Sequence, residues 1–82
     1  MALEIRMYKE TLSIDNVHNL TGIPKSTLRF WEKVFSGYLK PARTKGRQRR
    51  YTREDLEKIL NIKKLLEMEG YTIAGARRKL VA

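Results

Sequence analysis

The sequence predicts a mainly α-helical fold, a winged helix-turn-helix with about four helices and one short β-hairpin as its wing. Three observations predict it. A Gly-Ile-Pro turn at residues 22–24 separates two short helical patterns, a cation-rich stretch with turn residues at its middle follows at residues 38–51, and two further helical patterns complete the chain. Two short helices joined by a tight turn that contains glycine are typical of a helix-turn-helix.

The first two helices have recognisable ends. Ser13 can cap a helix over residues 14–21, and Gly22 can take the left-handed conformation that ends it. The second helix is predicted over residues 25–35, with Leu28, Trp31 and Phe35 on one face. We expect this apolar face to pack in the core.

The opposite face of the second helix is polar and cationic, and it includes an aromatic ring. In a helix-turn-helix this face contacts DNA, because arginine can bond guanine and hydroxyl side chains can reach bases or phosphates. The residues predicted to contact DNA from this helix are Lys25, Ser26, Thr27, Arg29, Phe30 and Lys33. The alternative is an ordinary solvated face; Phe30 in particular can cover the rim of the core instead.

The wing is predicted from residues 38–51, with its tip near Gly46 and with Leu39 and Tyr51 as anchors to the core. Residues 40–53 hold seven cations and no carboxylate, which concentrates positive potential on one segment. The predicted DNA contacts of the wing are Arg43, Arg47, Arg49, Arg50 and Tyr51, although Tyr51 is also a candidate packing residue.

The last two helices follow the wing. Thr52, with an acid three residues later, can cap a long helix over residues 53–69 that ends at Gly70. The apolar positions of this helix cover a wide arc, so we expect it to pack on two sides. Thr72 can cap the final helix over residues 73–81.

Composition narrows the possible partners. The 82 residues carry a formal net charge of +9 and no cysteine, which indicates one small domain that binds a polyanion without disulfides. The domain is predicted over residues 13–82, after a leader or short strand at residues 1–12. No apolar run approaches the roughly 20 residues that span a bilayer, and a signal peptide is not evident, so a cytoplasmic location is expected.

The sequence contains no recognisable catalytic motif. It contains no nucleophile elbow, no phosphate-binding glycine loop and no metal-ligand spacing, and the single histidine, His18, has no evident partner. We therefore expect no enzymatic activity, no cofactor and no metal.

Two segments, Thr-Leu-Arg-Phe-Trp-Glu at residues 27–32 and Arg-Tyr-Thr-Arg-Glu-Asp-Leu at residues 50–56, occur here in an order that is fairly specific. With Gly-Tyr-Thr-Ile at residues 70–73, they resemble the DNA-binding domain of the mercury-resistance-regulator (MerR) family over about residues 12–81. The resemblance implies a transcription regulator of bacterial type, at the nucleoid, whose second helix enters the major groove of double-stranded DNA while the wing grips the flanking backbone.

Two departures from the family pattern matter. His18 replaces a small residue, and the chain ends at Ala82, where the family's dimerisation helix would begin. A homodimer is therefore expected for a full-length member, but not assigned to these residues. Two alternatives stay open: a DNA-bending architectural or excisionase-like protein without promoter control, and a basic module for protein interaction or membrane surfaces. The operator, the effector and the choice between activation and repression are not encoded in any recognisable pattern.

Overall fold

The computed structural model describes residues 11–81, which form four α-helices and a two-stranded antiparallel hairpin. The elements in chain order are α1 (Ile14–Thr21), α2 (Lys25–Val34), β1 (Ala42–Arg43), β2 (Arg49–Arg50), α3 (Arg53–Lys63), a π-helical turn (Lys64–Met68) and α4 (Ile73–Val81). This is the predicted winged helix-turn-helix, with α1 and α2 as the helix-turn-helix and the hairpin as the wing.

Local hydrogen bonds explain where α1 begins and ends. The Ser13 hydroxyl accepts from the Asn16 amide at 3.1 Å, while the Asn16 side chain accepts from the Ser13 amide at 3.3 Å. This reciprocal capping box satisfies amides that the first turn leaves unpaired. Gly22, at φ 75°, ends the helix in the left-handed region, and its amide donates to the His18 carbonyl. The predicted bounds of α1 are confirmed.

The second helix begins directly after Pro24, which has no side-chain cap to offer. It ends at Val34, one residue before the predicted end, because Phe35 already has non-helical dihedral angles. Leu28, Trp31 and Phe35 are all buried, as predicted. Their burial fixes which face of α2 points to solvent.

The wing is a short hairpin in which Ala42 pairs with Arg50 and Arg43 with Arg49. Leu12 forms an isolated antiparallel bridge with Tyr51, with backbone hydrogen bonds of 2.7 and 2.8 Å, just beyond β2. The segment before the domain thus ends as a third strand-like partner of the wing. Residues 1–10, most of the predicted leader, lie outside the described residues.

The third helix is capped as predicted, since Thr52 and Asp55 form a second capping box. Its α-helical geometry ends at Lys63, and residues Lys64–Met68 continue as one π-helical turn, so the prediction of a regular helix over residues 53–69 was wrong at this end. A π turn widens the helix by one residue per turn, which sequence periodicity does not reveal. Gly70 follows at φ 70°.

The core joins all of these elements. It consists of Val17, Ile23, Leu28, Trp31, Phe35, Leu39, Tyr51, Ile59, Ile62, Leu65 and Ala76. The predicted anchors Leu39 and Tyr51 are both fully buried. Leu20 and Leu60 are exposed, although each lies on a helix with buried apolar residues. Leu20 lies in the last turn of α1, and Leu60 is rotated away from the buried Ile59 and Ile62.

Candidate nucleic-acid interface

One segment carries the whole net charge of the chain. Residues 25–53 contain ten of the 18 lysines and arginines but one of the nine acidic residues, so their excess of nine equals the formal charge of +9. Elsewhere the charges balance. The structure places this segment in α2, the wing and the start of α3, which concentrates the positive potential on contiguous elements.

The outward face of α2 is a polar, cationic stripe. Ser26, Arg29, Phe30 and Lys33 are all exposed, with Phe30 at 49%. The stripe is roughly 10 Å long, given a rise of about 1.5 Å per residue. Thr27 is half-buried and lies at its edge. Four of the six residues predicted to contact DNA from this helix are therefore exposed on the same face.

Lys25 has an intramolecular partner. Its ammonium group forms an ion pair with Asp15 in the first turn of α1, and this pair lowers the pKa of Asp15 below its usual value. The cause is first the hydrogen bond from Lys25 and then its positive charge. The pair joins the starts of α1 and α2, so Lys25 is less available to an outside phosphate than the exposed Lys33.

His18 contributes to the turn between the first two helices. Its Nδ1 donates to the Ile23 carbonyl at 2.7 Å, since a carbonyl oxygen can only accept. The imidazole is half-buried and fastens the turn that sets the angle between α1 and α2. His18 therefore has a structural role within the helix-turn-helix.

A single carboxylate ties the wing to α2. Glu32 accepts from Arg43 Nη2 through Oε1 and from Arg49 Nε through Oε2. Arg43 and Arg49 are direct partners across the hairpin, where like charges repel. The Glu32 side chain, only 15% exposed, neutralises both and fixes the position of the wing relative to α2.

The other two wing arginines differ from each other. Arg50 donates from Nε to the Thr11 hydroxyl at 2.9 Å and from Nη2 to the Thr11 carbonyl at 3.1 Å, which holds the incoming chain against β2. Arg47 is exposed and lies in the turn, where its φ of 64° is left-handed. The predicted tip near Gly46 is correct, but the left-handed position belongs to Arg47.

Tyr51 does not lie on the surface. The residue is fully buried, and its hydroxyl has no hydrogen-bond partner among the described residues. Burial, followed by the negative charge of Glu32, raises the pKa of Tyr51 to about 12. The prediction that Tyr51 contacts DNA is therefore corrected: the Leu12 bridge and the hairpin register turn its ring into the core.

Glu32 is the residue that sequence reasoning missed. It is the single acid between Asp15 and Glu54, within the most cationic part of the chain. A lone carboxylate in such surroundings is a signal of a structural ion pair, because an unpaired one would weaken attraction to a polyanion. Its partners, however, depend on the hairpin register, which the sequence did not specify.

Other kinds of site find little support in this part of the chain. Among residues 11–81, no group of three or more His, Asp or Glu side chains is placed to hold a metal ion. Within the same residues, none of the helices has the length and apolar character needed to cross a membrane.

Comparisons with known proteins agree with this geometry. Residues 12–82 match the family model described as MerR HTH family regulatory protein. The chain is 36% identical over 67 residues to the HTH-type transcriptional repressor CarA of Myxococcus xanthus, which covers 80% of this chain and 23% of CarA. It is 37% identical over 59 residues to the provisionally named heat shock protein HspR of Streptomyces coelicolor, covering 72% of this chain and 38% of HspR.

A third relative is the HTH-type transcriptional regulator GlnR of Bacillus anthracis, 34% identical over 65 residues, covering 79% of this chain and 48% of GlnR. The chain spans less than half the length of each of these three relatives. The family match nevertheless covers almost all of the chain and every element of the cationic face. The chain belongs to the MerR HTH family of regulatory proteins.

Proposed function

We propose that this chain is the sequence-specific, double-stranded DNA-binding domain of a transcription regulator. Helix α2 enters the major groove and the wing lies on the phosphate backbone. The observation that carries the proposal is the Glu32 bridge, which joins the exposed stripe of α2 and the cationic wing into one surface. A surface of fixed shape can read bases and hold phosphates in a single register.

The exposed residues divide by role. Arg29 is proposed as the principal base reader, with Ser26 beside it, because a guanidinium can bond both acceptors on guanine. Lys33 and Arg47 offer charges to phosphates, and Phe30 offers apolar contact to a sugar or to a thymine methyl group.

The other residues predicted to contact DNA also help to hold the fold together. Thr27 lies at the edge of the stripe, and Lys25, Arg43, Arg49 and Arg50 have the intramolecular partners described above. We propose that these four cations reach phosphates with their remaining N–H donors, while their main contribution is to hold α1, α2, the wing and Thr11 in place.

The proposal extends to the whole protein. We propose that the full-length regulator acts as a homodimer in the cytoplasm, at the nucleoid, and has no enzymatic activity. Two copies would place two α2 helices on adjacent half-sites, which supplies affinity that a single small module lacks.

Selection from a random-sequence duplex library tests the DNA proposal. The 82-residue chain should enrich a consensus, bind that duplex more tightly than its scrambled form, and bind anionic vesicles and single strands more weakly than either. Arg29→Ala should reduce the preference for the consensus by about 1–3 kcal/mol. Arg78→Ala, which removes an exposed arginine on α4, is the matched control and should leave the preference unchanged.

Each contrary result has a meaning. Equal losses on consensus and scrambled duplexes for Arg29→Ala would remove Arg29 from base reading. Absence of a consensus together with strong bending of random duplexes would favour the architectural alternative. Tighter binding to vesicles than to duplexes would defeat the proposal.

A further inference from the structure

We infer that Gly37 and Val81 are positioning residues, through whose contact α4 fixes the turn that joins α2 to the wing and thereby contributes to sequence preference. Neither residue is among those proposed to contact DNA. The inference rests on the proposed function and deepens it, since it adds determinants of specificity on α4, a helix that contributes none of the proposed DNA contacts.

The joining turn, residues 35–39, connects the two elements that are proposed to contact DNA. It begins at Phe35, directly after α2, and two residues separate its end from β1. The Phe35 carbonyl accepts from the amides of Tyr38 and Leu39, each at 2.8 Å, which makes the turn compact. A displacement of this turn therefore reaches α2 and the wing together.

The core and α3 hold the joining turn. Phe35 and Leu39 are buried in the core. On α3, the Asn61 side chain donates to the Tyr38 hydroxyl at 3.2 Å, and the Lys58 ammonium group lies 5.4 Å from the centre of the Tyr38 ring. The turn is thus fixed to the core at both ends and to α3 at Tyr38.

Gly37 lies where a side chain would meet α4. Its φ is outside the left-handed region, so its backbone conformation does not require glycine. A methyl group at residue 37 would lie 2.9 Å from Cγ1 of Val81, in the last turn of α4. Ordinary contacts between carbon atoms are about 3.5–4.0 Å. The close approach of Val81 therefore explains why a residue without a side chain suits this place.

Val81 cannot move away from Gly37 at low cost. A valine in a helix has one strongly preferred χ1 rotamer, which holds its methyl groups in place. The helix is also anchored, because Ala76 is buried in the core and Leu80 packs against the core. Val81 is therefore a fixed contact for the joining turn, and the position of α4 limits how the turn can lie.

The geometry gives the size of the effect. To restore an ordinary contact, Gly37→Ala must displace the turn or the end of α4 by about 0.7 Å. A displacement of that size at one end of α2, which has 10 residues and is about 15 Å long, rotates the helix by about 3°. Side chains that read a partner must be held within about 0.5 Å of their productive position, so this displacement should weaken base reading.

The experiment is a double-mutant cycle in the full 82-residue chain, with Gly37→Ala, Val81→Ala and the double variant. Gly37→Ala should reduce the preference for the selected duplex over its scrambled form by about fivefold, and Val81→Ala alone by less than about twofold. The double variant should recover the preference, because the second substitution removes the methyl group that the first one meets. A direct clash between residue 37 and DNA would not be relieved by a change at residue 81.

Gly46→Ala is the matched control. Gly46 also has a φ outside the left-handed region, and a methyl group there would lie 3.8 Å from the Thr44 hydroxyl, an ordinary contact. This variant should keep the sequence preference and show a slightly raised melting temperature. Gly37→Ala should lower the melting temperature by about 5 °C, and the double variant should regain most of that loss. Binding is compared well below the lowest melting temperature, so that every chain is folded.

NMR tests the positioning without DNA. In Gly37→Ala, the backbone amide chemical shifts of α2 and β1 should change, and residual dipolar couplings should show α2 rotated by about 3° relative to α3. Both measurements should return towards the wild-type values in the double variant. Unchanged shifts in α2 and β1 would overturn the inference.

The binding results separate this inference from the proposed function. A loss of preference that the double variant does not recover, or equal losses on selected and scrambled duplexes for Gly37→Ala, would overturn the inference. If the wild-type chain selects a consensus and Gly37→Ala retains the full preference, this inference alone fails. If the wild-type chain shows no preference for any duplex, the proposed function fails and the inference fails with it.

Discussion

Replacement of Glu32 tests whether the wing and α2 act as one unit. Glu32→Ala removes two charge-assisted hydrogen bonds, of a kind that contributes about 1.5–3 kcal/mol when shielded from water. The bond from Arg49, whose side chain is 23% exposed, keeps much of that value. The bond from Arg43, whose side chain is 41% exposed, contributes about 0.5 kcal/mol, as a surface ion pair does. Alanine has a higher helix propensity than glutamate, which offsets a few tenths of a kcal/mol of this loss.

The expected loss in the free energy of unfolding is therefore about 2 kcal/mol for Glu32→Ala and about half as much for Glu32→Gln, which keeps one acceptor. For a domain of this size, 2 kcal/mol corresponds to a fall of about 10 °C in melting temperature. The two facing arginines, no longer bridged, would also repel each other across the hairpin.

DNA binding should respond differently from stability. Without Glu32, Arg43 and Arg49 become available to phosphates, so binding to random duplexes should strengthen and its salt slope should steepen by about one to two. The preference for the selected duplex should fall, since the wing would no longer hold a fixed position beside α2. Thermal unfolding by circular dichroism and fluorescence anisotropy at two salt concentrations measure these changes.

Glu54→Gln is the matched control. Glu54 is likewise an acidic residue on a helix. Its side chain is 80% exposed, and its carboxylate lies 3.7 Å from the Lys58 ammonium group. The change in net charge is the same, and the expected stability loss is about 0.5 kcal/mol. If Glu32→Gln matched Glu54→Gln in both melting temperature and sequence preference, the reasoning about the bridge would be refuted.

Two further predictions concern titratable groups. Tyr51→Phe should stabilise the fold by about 1 kcal/mol in urea unfolding, because it removes a buried hydroxyl that lacks a partner; a loss of stability would show that the hydroxyl is bonded. The pKa of Tyr51 is raised to about 12 in the folded chain, so the neutral phenol makes its full contribution to the free energy of unfolding below pH 10, and that contribution declines as the pH rises towards 12. In an absorbance titration at alkaline pH, the Tyr51→Phe chain should lack the phenol that titrates last. Lys25→Ala should raise the pKa of Asp15 towards its usual value in an NMR titration, and since a lowered pKa supplies stability that disappears as the pH falls through it, the variant should show a weaker acid dependence of stability than the wild type. An unchanged Asp15 pKa would show that the pair does not persist in solution.

The elements that the sequence predicted correctly depend on local interactions. Ser13 and Thr52 cap helices by bonding three residues onward, and Gly22 and Gly70 end them by their own backbone freedom, so each signal lies within a few residues. The buried face of α2 follows likewise from helical spacing alone. These features are sufficient to predict the helix-turn-helix and the outward position of Arg29.

Several features that the sequence left open depend on register between distant segments. Tyr51 was predicted both as a core anchor and as a DNA contact, and its pairing with Leu12 holds it in the first of these places. The left-handed residue of the wing fell on Arg47 and not on Gly46, because hydrogen bonding across the hairpin determines which residue takes that place. The exposure of Leu60 depends on which residues of α3 meet the core, and helical periodicity leaves that rotation open by tens of degrees.

The place of Glu32 on α2 suggests how the proposed DNA-binding surface would gain specificity. A carboxylate in a DNA-facing surface reduces attraction to every duplex, so its presence costs affinity for consensus and random DNA alike. What it supplies is a fixed distance between the wing arginines and Arg29, three residues earlier on the same helix. With that distance fixed, the proposed backbone contact of the wing and the proposed base contact of α2 would form together only where the bases match. A mismatched site then loses both contacts, which widens the difference between right and wrong sequences more than additional positive charge could.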